Sequence, residues 1–113
     1  DFWATWCRPC IAEFNEYDEI YQLQESHDDF VILFVSLDKG KKETWSKLIE
    51  KYQLEGVHFQ VSYPLHVYLY EEWGVKSIPR YMIIDRDGTL RDKDAARPSY
   101  GNQLYNKLSR LLK

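Results

Sequence analysis

The stretch from Phe30 to Leu37, FVILFVSL, is an unbroken apolar run rich in Val and Ile. A strand with one face in water alternates polar and apolar side chains, whereas a run without alternation reads as a strand covered on both faces. That one element calls for helices on two sides of a sheet, and the flanking sequence supplies candidates. Before it, Ile11, Phe14, Tyr17 and Tyr21 recur at helical spacing and predict a helix from about Pro9 to Glu25. After it, Trp45, Leu48, Ile49 and Tyr52 share one stripe of a second helix over Glu43 to Gln53, which Gly56 is expected to end.

The remaining elements follow the same logic. DFWAT at residues 1–5 reads as the end of a buried strand. Val57 to Val61 predicts a short extended piece and Val67 to Trp73 a short helix. Arg80 to Asp85 and Thr89 to Asp92 flank Asp87-Gly88, a hairpin signal for an antiparallel pair. Pro98 stops earlier structure from running into a last amphipathic helix from Ser99 to the end, carried by Tyr100, Leu104, Leu108 and Leu111. The order β-α-β-α-insert-β-β-α predicts an α/β fold whose early strands pair in parallel through right-handed crossovers. The late hairpin is expected to add antiparallel strands to the same sheet, giving a mixed central sheet with helices on both faces.

A chain of 113 residues, 44% hydrophobic and 16% aromatic, fits one domain with a single core and folds without disulfide staples. Fifteen basic residues stand against eighteen acidic ones, and neither sign forms a long block, which argues against a nucleic-acid arm or a membrane-surface helix. No apolar run reaches the length of a bilayer span, and no basic-then-apolar leader precedes the first strand. The chain opens in mid-strand, so an export signal or an earlier domain of a longer precursor is compatible with it.

The chemistry is concentrated in Cys7 and Cys10, the two cysteines of the chain. At the first turn of a helix, unpaired N–H groups and the positive end of the helix dipole favour an anion, and a thiolate is such an anion. Arg8 adds a fixed positive charge beside Cys7, and Pro9 suits a first turn because its missing N–H would have gone unpaired there. Cys10 lies one turn further along the same face, close enough to close a disulfide. The expected reaction is exchange: Cys7 attacks a disulfide and Cys10 resolves the mixed disulfide. A purely structural disulfide is disfavoured because so short a loop removes little entropy from the unfolded chain. A zinc site would need two more ligands, and His27, His58 and His66 sit in unrelated segments without paired spacing. Two buried inert thiols would have no need of a helix start.

With WCRPC after DFWAT, and GVKSIPRYMIIDRDG further on, the chain resembles the thioredoxin superfamily, and more narrowly the TlpA/ResA-like thiol-disulfide oxidoreductases. The likeness covers essentially the whole chain, apart from the family's leading strands. It implies a thioredoxin-like three-layer sandwich, a protein dithiol-disulfide oxidoreductase that needs no bound cofactor or metal, and a cis proline at Pro79 beside the cysteine pair, preceded by Ile78. The backbone next to that proline would bind the substrate chain in extended form, by strand addition. Substrate contact then falls to Trp6, Arg8 and Pro9 around the cysteines and to Ile78 and Arg80 around the proline. Asp1 aligns with the buried acid that takes the proton of the second cysteine; the alternative is a solvated, idle carboxyl. The resemblance also implies a periplasmic bacterial monomer that reduces more than it oxidises, served by an upstream redox partner.

Some positions depart from the family pattern. Asn15 stands where many relatives have a proline, so the kink in the first helix is expected to be missing or shifted. Arg80 replaces a common threonine, and either turns toward the cysteines or lies solvated at a strand edge. An acidic residue that some relatives place after the second strand has Asp38 as its nearest candidate. Trp3 is expected under the sheet, Trp6 as a shield for the cysteines, and Trp45 and Trp73 on helix faces in the core. Two other functions compete: a module that binds extended segments with idle cysteines, and a peroxidase, which Ala4 disfavours because the attacking cysteine of such enzymes follows a threonine at that spacing.

Overall fold

A computed structural model describes residues 1–113. Its centre is β2, Leu33–Ser36, the core of the long apolar run. β1, Phe2–Trp3, pairs with it in parallel on one side and β3, Val57–Gln60, on the other, with Phe2 opposite Val35 and Leu33 opposite Val57. The links are helical, as parallel neighbours require. α1 (Arg8–Glu13) and α2 (Asp18–Ser26) lead from β1 to β2, and α3 (Lys42–Lys51) leads from β2 to β3. α4 (Tyr63–Glu72) follows, then the hairpin of β4 (Ile83–Ile84) and β5 (Leu90–Asp92), and finally α5 (Gln103–Leu111). This is the α/β, mixed-strand, thioredoxin-like architecture that the sequence predicts.

The first predicted helix is broken into two. A 3₁₀ turn at Phe14–Glu16 separates α1 from α2 although no proline is present. Phe14 and Tyr17 are three residues apart, and at three residues per turn they point the same way. Both rings go into the core, Phe14 edge-on to Trp3 at 5.3 Å and Tyr17 stacked on Phe34 at 5.8 Å between ring centres. The kink therefore survives the loss of the proline, held by aromatic packing.

The larger half of the core traces to predicted apolar stripes. One cluster gathers Trp3, Phe14, Tyr17, Ile20, Phe34, Leu104 and Leu108 with both cysteines, between the sheet and the helices α1, α2 and α5. Trp45 packs against this cluster half-buried. A smaller cluster on the opposite side joins Phe2, Val35 and Leu37 to Leu69 of α4 and to Val75, with Trp73 against it. α4 covers only that end of the sheet. Val31, Leu33 and Val57 stay exposed, so the apolar run is covered on both faces over part of its length only.

Other boundaries differ from expectation for local reasons. α4 starts at Tyr63 rather than near Val67, because Ser62 caps it, its Oγ accepting from the Leu65 N–H at 3.3 Å, and Pro64 fills the first turn. α5 starts at Gln103 rather than Ser99, after a turn through Gly101 at φ 67°. The hairpin turns at Gly88, φ 85°, where Asp87-Gly88 predicted it. It joins the first sheet only through a bridge between Phe2 and Arg80, whose backbone N···O distance is 2.9 Å, since β1 is two residues long.

Gly56 does not end the second helix. That helix closes at Lys51, and Gln53 rather than a glycine takes the left-handed conformation at φ 50°. Gly56 instead lets β3 approach β2: a Cβ there would lie 2.4 Å from the Ile32 carbonyl oxygen and 3.1 Å from the Phe34 ring. Gly56→Ala is expected to cost about 2 kcal/mol through this overpacking, read as a lower urea midpoint.

Candidate active site

The site is built where β1 ends. After Trp3 the chain turns tightly, the Cys7 N–H donating to the Ala4 carbonyl at 3.0 Å. Cys7 is the N-cap residue of α1, with extended backbone angles, and its carbonyl accepts from the Ile11 N–H at 3.1 Å. Its Sγ receives the Cys10 N–H at 3.2 Å. Pro9 lies in the first turn of the helix, as its chemistry predicts. Cys7 and Cys10 are joined as a disulfide with their Cα atoms 5.3 Å apart. Both are buried, while Trp6 next to them is 62% exposed and Arg8 is exposed and forms no ion pair. Trp6 thus presents much of its ring to solvent.

The loop before β4 carries the proline. The Ile78–Pro79 peptide is cis. Ile78 is half-buried and packs against both core clusters, including the one that holds the two cysteines, and Pro79 is buried. The Phe2 N–H donates to the Arg80 carbonyl, which ties this loop to the strand that leads to Cys7.

Arg80 does neither of the two things expected of it. Its side chain is 16% exposed, its Nη1 donating to the Gly74 carbonyl at 2.8 Å and its Nε to the Lys93 carbonyl at 2.9 Å, with Asp94 Oδ1 3.4 Å away. It braces the proline loop against the segment after β5. Asp1 is not solvated: its Oδ2 accepts from the Tyr17 hydroxyl, while Oδ1 is buried without a partner.

Asp38, the nearest candidate for an acid after β2, is 3% exposed and holds the cysteine turn in place. It accepts from the Thr5 N–H at 3.0 Å, the Thr5 hydroxyl at 2.7 Å and the Ser36 hydroxyl at 2.6 Å. Three donors converge on one carboxyl group, so Asp38 positions the turn between β1 and α1. Glu13 was missed. It is 6% exposed, and its oxygens accept from the Ser99 N–H at 2.9 Å and the Ser99 hydroxyl at 2.7 Å, which fastens α1 to the loop before α5. Its signal was its place three residues after Cys10, on the buried side of the helix. Asn15 is exposed and caps nothing beyond Ala12, whose carbonyl it approaches at 3.4 Å.

No group of three or more His, Cys, Asp or Glu side chains comes together as metal ligands would. The histidines are used locally: His58 stacks on Phe34 with ring centres 4.8 Å apart, and His27 Nδ1 lies 3.0 Å from the Leu23 carbonyl oxygen.

The tyrosines behind the site carry a pH dependence. Burial pushes the Tyr17 hydroxyl well above the usual value of 10, with the neighbouring Tyr81 adding to the rise, and burial pushes Tyr21 up to about 12. The folded protein therefore keeps phenol protons that the unfolded chain releases above pH 10, and stability falls as pH rises through that range. For Tyr17 the slope approaches ~1.4 kcal/mol per pH unit. Urea midpoints measured from about pH 9 to about pH 11 should decline accordingly; a flat profile would show that Tyr17 ionises freely in the fold.

Comparison with known proteins agrees with this geometry. The sequence profile of a family described as Thioredoxin-like matches residues 1–90. The thiol-disulfide oxidoreductase ResA of Bacillus cereus is 27% identical over 94 residues, covering 82% of this chain and 51% of that protein. The chain thus spans about half the length of the curated relatives it matches. Among solved structures, a crystal structure from Bacteroides vulgatus is 31% identical with a TM-score of 0.78, covering 99% of this chain and 75% of the other. A thiol-disulfide oxidoreductase from Bacteroides fragilis is 25% identical with a TM-score of 0.77, covering 98% and 77%. Because the profile match runs from β1 through the hairpin turn, the chain belongs to the thioredoxin-like family.

Proposed function

We propose that this chain exchanges dithiols and disulfides with protein partners through Cys7 and Cys10, acting as one redox domain and chiefly as a reductant. The observation that carries the reading is the Cys7–Cys10 disulfide at the first turn of α1, with the Cys10 N–H aimed at the Cys7 sulfur. In the reduced protein the same N–H and the start of the helix stabilise charge on Cys7. The Cys7 thiolate attacks one sulfur of a substrate disulfide, forming a mixed disulfide and releasing one substrate thiolate. Cys10 then attacks the Cys7 sulfur, closes the ring and releases the second substrate thiolate. Two electrons pass to the substrate, and an upstream dithiol must return them.

Asp1 is proposed to take the proton of Cys10 in the second step, since its Oδ1 is buried and has no partner to displace. Pro79 and Ile78, with Trp6, Arg8 and Pro9 across the cysteines, are proposed to flank an extended substrate segment; Arg80 supports that loop through its three contacts. The bacterial periplasm is the proposed compartment and a monomer the proposed state, both resting on the resemblance; none of the helices is long and apolar enough to cross a membrane.

The test is a single-turnover electron count. The protein is reduced, freed of reductant and mixed with excess insulin; each chain should lose two hydrogens as its disulfide closes, and one insulin disulfide should open per chain. Protein that stays reduced beside intact insulin would overturn the reading, and binding of extended segments without redox turnover would then be the function to pursue.

A further inference from the structure

The strands decide which loops surround Cys7. β1, β2 and β3 are parallel, so the segments after each of them emerge at one edge of the sheet. The bridge between Phe2 and Arg80 is antiparallel, which brings the segment before β4 to that edge, and β5, antiparallel to β4, returns there. The Ala95 N–H confirms the return by donating to the Tyr81 carbonyl at 2.9 Å. Residues 4–10, 37–42, 61–64, 73–80 and 93–102 therefore form the rim that holds the cysteines and Pro79.

Charge is distributed very unevenly over this arrangement. Eight of the fifteen basic residues lie in those segments, Arg8, Lys39, Lys41, Lys42, Lys76, Arg80, Lys93 and Arg97, but only two of the eighteen acidic ones. Of those two, Asp38 is buried under its three donors, while Asp94 is 78% exposed with Arg80 3.4 Å away. Apart from Arg80, none of the eight cations forms an ion pair. At the opposite edge, residues 27–32, 52–56 and 85–89 carry Asp28, Asp29, Glu55, Asp85 and Asp87 against Arg86, and the end of α5, whose Leu111 carbonyl accepts from Arg86 at 2.9 Å, adds Arg110 and Lys113. An acidic chain thus turns a positive end toward its partners.

The lysines after β2 are held close to the cysteine turn. Asp38 grips Thr5, two residues before Cys7, and the Gln60 side chain donates to the Gly40 carbonyl at 2.9 Å, which pins the segment 39–42 to the end of β3. Lys39 lies over the ring of Tyr63 at 5.5 Å, and Lys76, three residues before Pro79, over that of Tyr70 at 5.6 Å. Trp6 and Tyr63 add exposed aromatic area to the same rim.

We infer that this rim is an electrostatic docking surface for partners whose exchanging disulfide lies in an acidic segment, rich in Asp and Glu. The inference rests on the exchange activity proposed above and names the substrate class of that site. A field of one sign around a cleft speeds encounter with the opposite charge by ~10 to 10³-fold, and it fades as salt shortens the screening length to about 3 Å at 1 M.

The test uses the reduced protein and three synthetic disulfide peptides of one length, with Asp/Glu, Lys/Arg or Ser/Gly flanking the cysteines. At low salt the acidic peptide should be reduced at least ~10-fold faster than the basic one, with the neutral peptide between them, and the ratio should approach one near 1 M salt. In the variant K39E/K42E/K76E the acidic-to-basic ratio should fall several-fold; a general loss of activity would leave that ratio where it was. Equal low-salt rates for the three peptides would overturn the charge preference and leave the exchange activity standing. No turnover of any peptide would overturn the exchange reading and this inference with it.

Discussion

Cys7→Ser is expected to abolish reduction of insulin disulfides, lowering the rate at least ~10³-fold, because the substituted hydroxyl cannot serve as the attacking sulfur. Cys10→Ser should behave differently. The first attack remains possible, the resolving step does not, and a covalent adduct through Cys7 should accumulate to nearly one per chain on a non-reducing gel. The contrast assigns the order of the two sulfurs. Equal residual activity in the two variants would show that neither cysteine has a distinct role, and adduct formation in Cys7→Ser would reverse the assignment. Fold integrity separates these outcomes from misfolding: both side chains are small and Ser is close in volume, so the urea midpoint of each reduced variant should stay near that of the reduced parent.

Asp38→Ala should be strongly destabilising. It strands the Thr5 N–H, the Thr5 hydroxyl and the Ser36 hydroxyl, all of which point at the Asp38 carboxyl over 2.6 to 3.0 Å. An unpaired buried donor costs roughly 1–3 kcal/mol, so the three together should lower stability by about 4 kcal/mol, read from urea unfolding. Asp38→Asn keeps the volume and one accepting oxygen and should cost about half as much. A loss below about 1 kcal/mol in Asp38→Ala would mean that water or a shifted turn satisfies those donors instead.

Much of the fold was legible because its signals are local. The apolar run at Phe30 to Leu37, the helix stripe at Trp45 to Tyr52 and the turn at Asp87-Gly88 each declare themselves within a few residues, and the cysteine pair does so with its own helix start. What failed to show was long-range. Gly56 looked like a helix stop because glycine often is one, yet its constraint is the Ile32 carbonyl, 24 residues earlier. The break after α1 looked dependent on a proline, but it is held by rings from Trp3 and Phe34 that no window around Asn15 contains. Local sequence points Arg80 to either the cysteines or the solvent, but its partners at Gly74, Lys93 and Asp94 belong to loops that meet only in three dimensions. The Ser62 cap and Pro64, by contrast, were readable and would have moved the start of α4 to Tyr63.

The grip of Asp38 on Thr5 has a mechanical meaning. One carboxyl fastens two places 33 residues apart in the chain, so the cysteine turn cannot shift without dragging the head of the lysine segment that begins at the next residue. The turn and the start of that segment therefore sit as one rigid piece, and the lysines keep a fixed position relative to the sulfurs.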